Sequence, residues 1–191
     1  MKHGEKTSQF AFPRNCAFVF VHLLDCKDTA LVPVEEVLVS QTFKGSKNSA
    51  IGASVFFEPF YAYRFDFPDF DITINGESAD DYGAQETCLK TQPDSITYGT
   101  FYGGDLGEVI FETGHPEREN ILVIGESYDN AILKLLASHY NVTCSVDLRY
   151  YEHYMQKPFC FSSYVQEHDI DKVLFIGNID FYTMSEFALE N

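Results

Sequence analysis

Ile121-Leu122-Val123-Ile124-Gly125-Glu126-Ser127-Tyr128-Asp129-Asn130 is an apolar run that ends at a glycine, an acid and a serine, with a helical pattern behind it. The pattern predicts a strand, a tight turn and a helix running from Ser127 to about His139. Ala131, Leu135 and His139 would form one stripe of that helix, with Ile132 and Leu136 beside it. A serine at such a turn sits at the carboxyl end of a strand. The free N–H groups of the first helical turn lie beside it and can stabilise an oxyanion. Ser127 therefore has two readings, a nucleophile or the N-cap of the helix.

The pattern repeats downstream. Val142-Thr143-Cys144-Ser145-Val146 reads as a strand ending at Asp147, residues 161–167 read as a helix, and Lys172-Val173-Leu174-Phe175-Ile176-Gly177 reads as a third strand followed by Asn178. Strand, helix, strand, helix, strand implies a parallel sheet with right-handed crossovers. Binding sites in such sheets form at the carboxyl ends of the strands, where Ser127, Asp147 and Asn178 all fall.

Upstream the pattern is weaker. Residues 1–40 form a poorly defined segment, in which 32–40 suggest a short helix or strand. Residues 43–49 read as a polar glycine-containing loop. The aromatic series over 54–74 includes Arg64-Phe65-Asp66-Phe67, whose alternation predicts a strand, and ends at the turn signal Asn75-Gly76. Residues 77–94 are polar and acidic and read as a surface loop. Tyr98 to Asp105 is rich in aromatics and glycine and contains Gly103-Gly104. Val109 to Thr113 reads as a strand.

The chain has 191 residues, 45% of them hydrophobic, enough for one domain with a core. Phe (18) and Tyr (12) supply much of that apolar surface, so aromatics should dominate the core. A net charge of −16 with only 13 Lys and Arg argues against nucleic acid as a partner. The five cysteines lack CxxC spacing and are odd in number, which argues against a zinc site or a full disulfide framework. Cys144 reads as a buried thiol. No run is long enough for a transmembrane helix. Residues 17–24 imitate a signal-peptide core, but the run is short, contains His22 and lacks a small-residue cleavage site.

The block from Ile121 to Ala131 resembles the strand–Asp–Ser–Tyr–x–Asn–Ala block of the DHHW proteins, which are SGNH hydrolase-like and related to the alginate O-acetyltransferases. His139-Tyr140 and Asp147-Leu148-Arg149-Tyr150-Tyr151 resemble the next block, and Asp171 to Asn178 the last strand. Phe43-Lys44-Gly45-Ser46 and Tyr98 to Gly107 resemble weaker blocks between. The resemblance covers roughly residues 40–182. It implies a three-layer α/β fold, a parallel-sheet SGNH hydrolase-like (flavodoxin-like) domain, here incomplete and spanning 41–191. It also implies Ser127 as the nucleophile and a site in the cell envelope or outside the cell, although the chain shows no clear export signal.

Two departures stand out. Glu126 replaces the family's aspartate, and none of His3, His22, His115, His139, His153 and His168 lies in an Asp-x-His-Trp motif. The chain has no tryptophan at all. The Asp-His pair that would activate the serine in the related acetyltransferases is therefore not recognisable.

Asp147 and Arg149 could bind substrate or pair with each other, and Asn178 could donate to an oxyanion or close a strand-end turn. Tyr150 and Tyr151 could stack on a sugar or fill the core. No cofactor or metal is implied. The expected function is acyl-ester chemistry on a carbohydrate, as an O-acetyltransferase or acetylesterase. The alternatives are a non-catalytic glycan- or protein-binding domain, or a fragment that needs a partner chain or a missing N-terminal half.

Overall fold

The computed structural model describes residues 33–44, 58–178 and 181. The run 17–24, residues 45–49 of the expected loop, Phe56, Phe57, His3, His22, Cys16 and Cys26 lie outside the described residues, while Phe43 and Lys44, expected in that loop, are strand because they pair with neighbouring strands.

Two sheets carry the chain. The smaller has the order β2-β1-β5, from β1 (Glu35–Lys44), β2 (Glu58–Arg64) and β5 (Ile96–Thr97). β1 crosses position 40, where the sequence suggested a domain start. The larger sheet has the order β4-β3-β6-β8-β7-β9, from β3 (Asp71–Ile74), β4 (Glu77–Ala79), β6 (Glu108–Glu112), β7 (Ile121–Gly125), β8 (Val142–Val146) and β9 (Lys172–Ile176). The helices are α1 (Gln85–Thr91), α2 (Tyr98–Tyr102), α3 (Leu133–Ala137), α4 (Tyr151–Met155) and α5 (Phe161–Glu167).

The sheet is mixed, which corrects the all-parallel expectation. β8, β7 and β9 are parallel, as the C-terminal pattern predicts. β6 joins β8 antiparallel, and β3 and β4 continue antiparallel. Hydrophobic pattern reveals a strand but carries no information about its direction when the connection is irregular.

Alternation along the central strand builds both halves of the core. Leu122 and Ile124 pack with Cys144, Val146, Tyr151 and Tyr164, towards α4 and α5. Val123 packs with Phe111, Leu133 and Leu136, towards α3. A strand buried on both faces reads as an unbroken apolar run, which is what residues 121–124 are. A smaller cluster of Val39, Cys88, Ile96 and Phe101, with Phe43 stacked on Phe60, fills the three-stranded sheet. Cys144 is fully buried, and burial pushes its thiol up to about 12.

Three local expectations need correction. The helix after β7 begins at Leu133 rather than Ser127. The chain first makes two turns, Asp129 N–H to Glu126 O and Ile132 N–H to Asp129 O, both at 2.9 Å. Its buried residues are Ile132, Leu133, Leu136, Ala137 and Tyr140, not the Ala131–Leu135–His139 stripe. The alternation over 64–67 is not a strand beyond Arg64, because the pairing with β1 ends at Glu35–Arg64. Phe65, Phe67 and Phe70 instead contact one another ring to ring and lead to Phe111. Residues 77–94 are not only loop. They hold β4, paired through the Asn75-Gly76 turn, and α1, whose entry is held by Asp81 accepting from the N–H groups of Tyr82 and Glu86.

Asn75 and Gly76 both have positive φ (49° and 82°), as a two-residue hairpin turn requires. Asn75 Oδ1 accepts from the N–H groups of Gly107 and Glu108, each at 3.0 Å. Gly107 O in turn accepts from Asp147 N–H at 3.1 Å. A side chain at Gly107 would crowd the Tyr150 carbonyl and Tyr151 Cα, so this approach needs glycine. The hairpin therefore fixes the segment that follows β8.

Leu122 is fully buried at the centre of the sheet. Leu122→Ala is expected to lower unfolding free energy by about 2–5 kcal/mol, the range for a core leucine cavity. Urea denaturation followed by circular dichroism measures it, and a change near zero would contradict the packing described.

Candidate functional site

The carboxyl ends of the three parallel strands converge, with β7 between β8 and β9. Ser127 follows the end of β7 by two residues, Asp147 follows β8 directly, and Asn178 follows β9 by two residues. This gathers the three positions at one end of the sheet. Ser127 and Asp147 line one pocket there, together with Gly104, Asp105, Glu126 and Asp129.

Ser127 is partly exposed, and its neighbour Tyr128 is exposed. It does not cap a helix, because the N-cap position of α3 is Ile132. Its backbone carbonyl accepts from Tyr98 OH at 2.6 Å, which ties the turn to α2. Among the described residues, Ser127 Oγ has no hydrogen-bond partner.

Asp147 and Arg149 are paired. Arg149 Nε donates to Asp147 Oδ1 at 2.9 Å, and Nη2 donates to Oδ2 at 2.5 Å. The same guanidinium reaches Glu126 Oε2 at 3.5 Å and Asp105 Oδ1 at 3.6 Å. The bond to Asp147 and the three negative charges hold Arg149 protonated well above its ordinary range. Its carbon centre also lies 5.2 Å from the ring of Tyr150, whose hydroxyl donates to Asp105. Tyr151, by contrast, is a core residue.

Asn178 is part of a strand-end turn. Its N–H donates to Glu126 Oε1 at 2.7 Å, and its Oδ1 accepts from Phe181 N–H at 3.1 Å. Glu126 thus links the ends of β7 and β9 to Arg149, a role no sequence signal announced. Gly103 ends α2 with φ of 92°, and Gly104, with φ of 78°, lends its carbonyl to Asn130 Nδ2.

Asp129 is the residue the sequence reading missed. It is 3% exposed, and a Cβ at Gly125 would run into its carboxylate, so the glycine of the block makes room for it. Ser145 Oγ donates to Asp129 Oδ2 at 3.0 Å. Burial, opposed by that bond and reinforced by the charges of Asp147 and Glu126, raises Asp129 from 3.8 to about 7. A carboxyl two residues after a strand-end serine was the available clue.

None of the described histidines lines the pocket of Ser127. His115 follows β6, His139 precedes β8 and His168 precedes β9, all at the other end of the sheet, since Glu112 pairs with Val142. A five-residue strand such as β7 separates the two ends by about 16 Å. His153 lies on α4, exposed, against Tyr154. Among the described residues no group of three or more His, Cys, Asp or Glu is arranged to hold a metal ion. Among them too, no helix is long and apolar enough to cross a membrane.

No family model matches the chain, and no curated protein matches it. Solved structures do. PatB1 from Bacillus cereus, determined with a sulfonyl adduct, is similar at a TM-score of 0.62 and 18% identity, over 85% of this chain and 51% of that one. PatB1 in a second structure gives 0.56 and 22%, over 70% and 44%. A DHHW family protein from Eubacterium siraeum DSM 15702 gives 0.51 and 18%, over 78% and 48%. The likeness is one of fold. The chain spans about half the length of these structures.

The shift of Asp129 has a direct consequence for stability. Below about pH 4 the carboxyl holds its proton in folded and unfolded chains alike. Between about 4 and about 7 only the folded chain keeps it, so this group's contribution to stability is lost as pH rises, and above about 7 the loss is complete. Asp129→Asn keeps an oxygen for Ser145 and removes the titration. It is expected to flatten that slope and to be more stable than the native chain at pH 8, by roughly 2–4 kcal/mol. Denaturant titrations across pH test this, and an unchanged slope would contradict it.

Proposed function

We propose that this chain carries acyl-ester chemistry on a carbohydrate, as an O-acetyltransferase or acetylesterase, with Ser127 as the nucleophile. The observation that carries the reading is the setting of Ser127. It lines a pocket at the carboxyl end of the central parallel strand, with its hydroxyl unbonded among the described residues. In the same turn the N–H groups of Ser127 and Tyr128 bond to no described residue. They are available to an oxyanion in place of the helix N-terminus, which begins six residues later. The fold is shared with PatB1, which was determined with a sulfonyl adduct. Asp147 lines the pocket and Arg149 is paired with it, and together they would contact the acceptor. Asn178, occupied in its turn, would orient Glu126 rather than bind substrate.

The test is labelling with a sulfonyl fluoride, read by peptide mass spectrometry, alongside hydrolysis of an aryl acetate. A sulfonyl group on Ser127 and loss of at least about 100-fold of the hydrolysis in Ser127→Ala are expected. Absence of both labelling and hydrolysis, with binding of an acetylated glycan retained, would turn the reading to a non-catalytic binding domain.

A further inference from the structure

Ser127 needs a group that takes its proton, and no described histidine lines its pocket. We propose that Asp129 is that group, the general base and acid of the Ser127 pocket; the inference rests on the reading of Ser127 as nucleophile.

Four observations point to it. Asp129 lines the same pocket as Ser127, two residues along the same turn. It is the most buried carboxylate of that pocket, against 7% exposure for Glu126 and 8% for Asp147. Arg149 pairs with Asp105, Glu126 and Asp147 but not with Asp129, so among the described residues Asp129 alone of these carboxylates has no cation paired with it. Its fixed partner is Ser145, a hydroxyl that orients Oδ2 without neutralising it. The groups that face it are Glu126 at the end of β7, Asp147 after β8, and Tyr82, a core phenol close enough to feel its charge. Tyr82 OH is buried with no hydrogen-bond partner, so it gives the carboxyl no hydrogen bond. These neighbours are anionic or neutral, and they favour the protonated form, bringing the carboxyl into the range where it can both accept and return a proton at neutral pH.

The step balances without any other reactant. Ser127 Oγ attacks the acyl carbonyl carbon and its proton passes to the Asp129 carboxylate. The tetrahedral intermediate collapses, the C–O bond to the leaving alcohol breaks, and Asp129 returns the proton to that oxygen. An acceptor hydroxyl, or water, then attacks the acyl-serine. It loses its proton to Asp129, which hands it back to Ser127 Oγ as the bond to the serine breaks.

The experiment uses the full chain and a sulfonyl fluoride as probe, with the rate of Ser127 labelling followed from pH 5 to pH 9. The native chain should show a rate that rises with pH through about 7 and then levels. Asp129→Asn should lose at least about 100-fold and the limb with it, while remaining folded by circular dichroism. Ser145→Ala removes the donor that favours the ionised form, so its limb should move to higher pH. Difference infrared spectroscopy should show a protonated-carboxyl band that titrates with the labelling rate and is missing in Asp129→Asn. His3→Gln with His22→Gln should label at the native rate. Native labelling that persists unchanged in Asp129→Asn, or that is lost in the double histidine variant, overturns the assignment of the base while leaving Ser127 as nucleophile. No labelling of the native chain at any pH overturns both.

Discussion

The guanidinium of Arg149 holds the carboxyl ends of the parallel strands together. It bridges Asp147 beyond β8, Glu126 beyond β7 and Asp105 ahead of β6, and Glu126 extends the link to β9 through Asn178 N–H. Without a cation there, three carboxylates would face one another at the strand ends, with two of them buried. Bidentate pairing with Asp147 gives the guanidinium one fixed orientation, which a lysine would not have.

One cation against three carboxylates leaves an excess of negative charge, and Asp129 sits beside that excess without a cation of its own. Its raised pKa follows first from burial and then from this imbalance. The local architecture that buries it is compact. Glycine at 125 leaves room for the carboxylate, Ser145 on the next strand donates to it, and the two turns from Glu126 to Ile132 displace the start of α3. A helix beginning at Ser127 would have left Asp129 in its first turn rather than folded against the strand ends. The departure from regular helix and the unusual carboxyl thus have one origin.

Much of the C-terminal half was legible. Residues 121–124 are apolar because β7 is buried on both faces and β8 beside it is buried from Thr143 to Val146, and that demand leaves little freedom in sequence, while the edge strand β9 is legible from its apolar run although only Ile176 in it is buried. The turn at Asn75-Gly76 was legible because two consecutive positive φ values admit few residues. The helix boundary, the antiparallel direction of β6 and the end of β2 at Arg64 were not legible. Each depends on which partner is present across a sheet, and no local pattern records that. In the site, Ser127, Asp147 and Asn178 were named from their places at strand ends, and the Asp147–Arg149 pair was one of two readings of those residues, but the links from Arg149 to Glu126 and Asp105 and the strand-linking part of Glu126 were not legible.

By itself the sequence determined that this is an α/β chain with parallel strands at its C-terminal end and a serine at the strand–turn junction, because burial and turn geometry restrict residue type locally. The tertiary structure decided that the sheet is mixed, that Asn178 is occupied in a turn, and that Asp129 is the carboxyl turned inward beside Ser127. Those outcomes come from pairing and desolvation between segments far apart in the chain. Asp105 and Arg149 lie 44 positions apart yet share one charge environment, and only the folded chain brings them there.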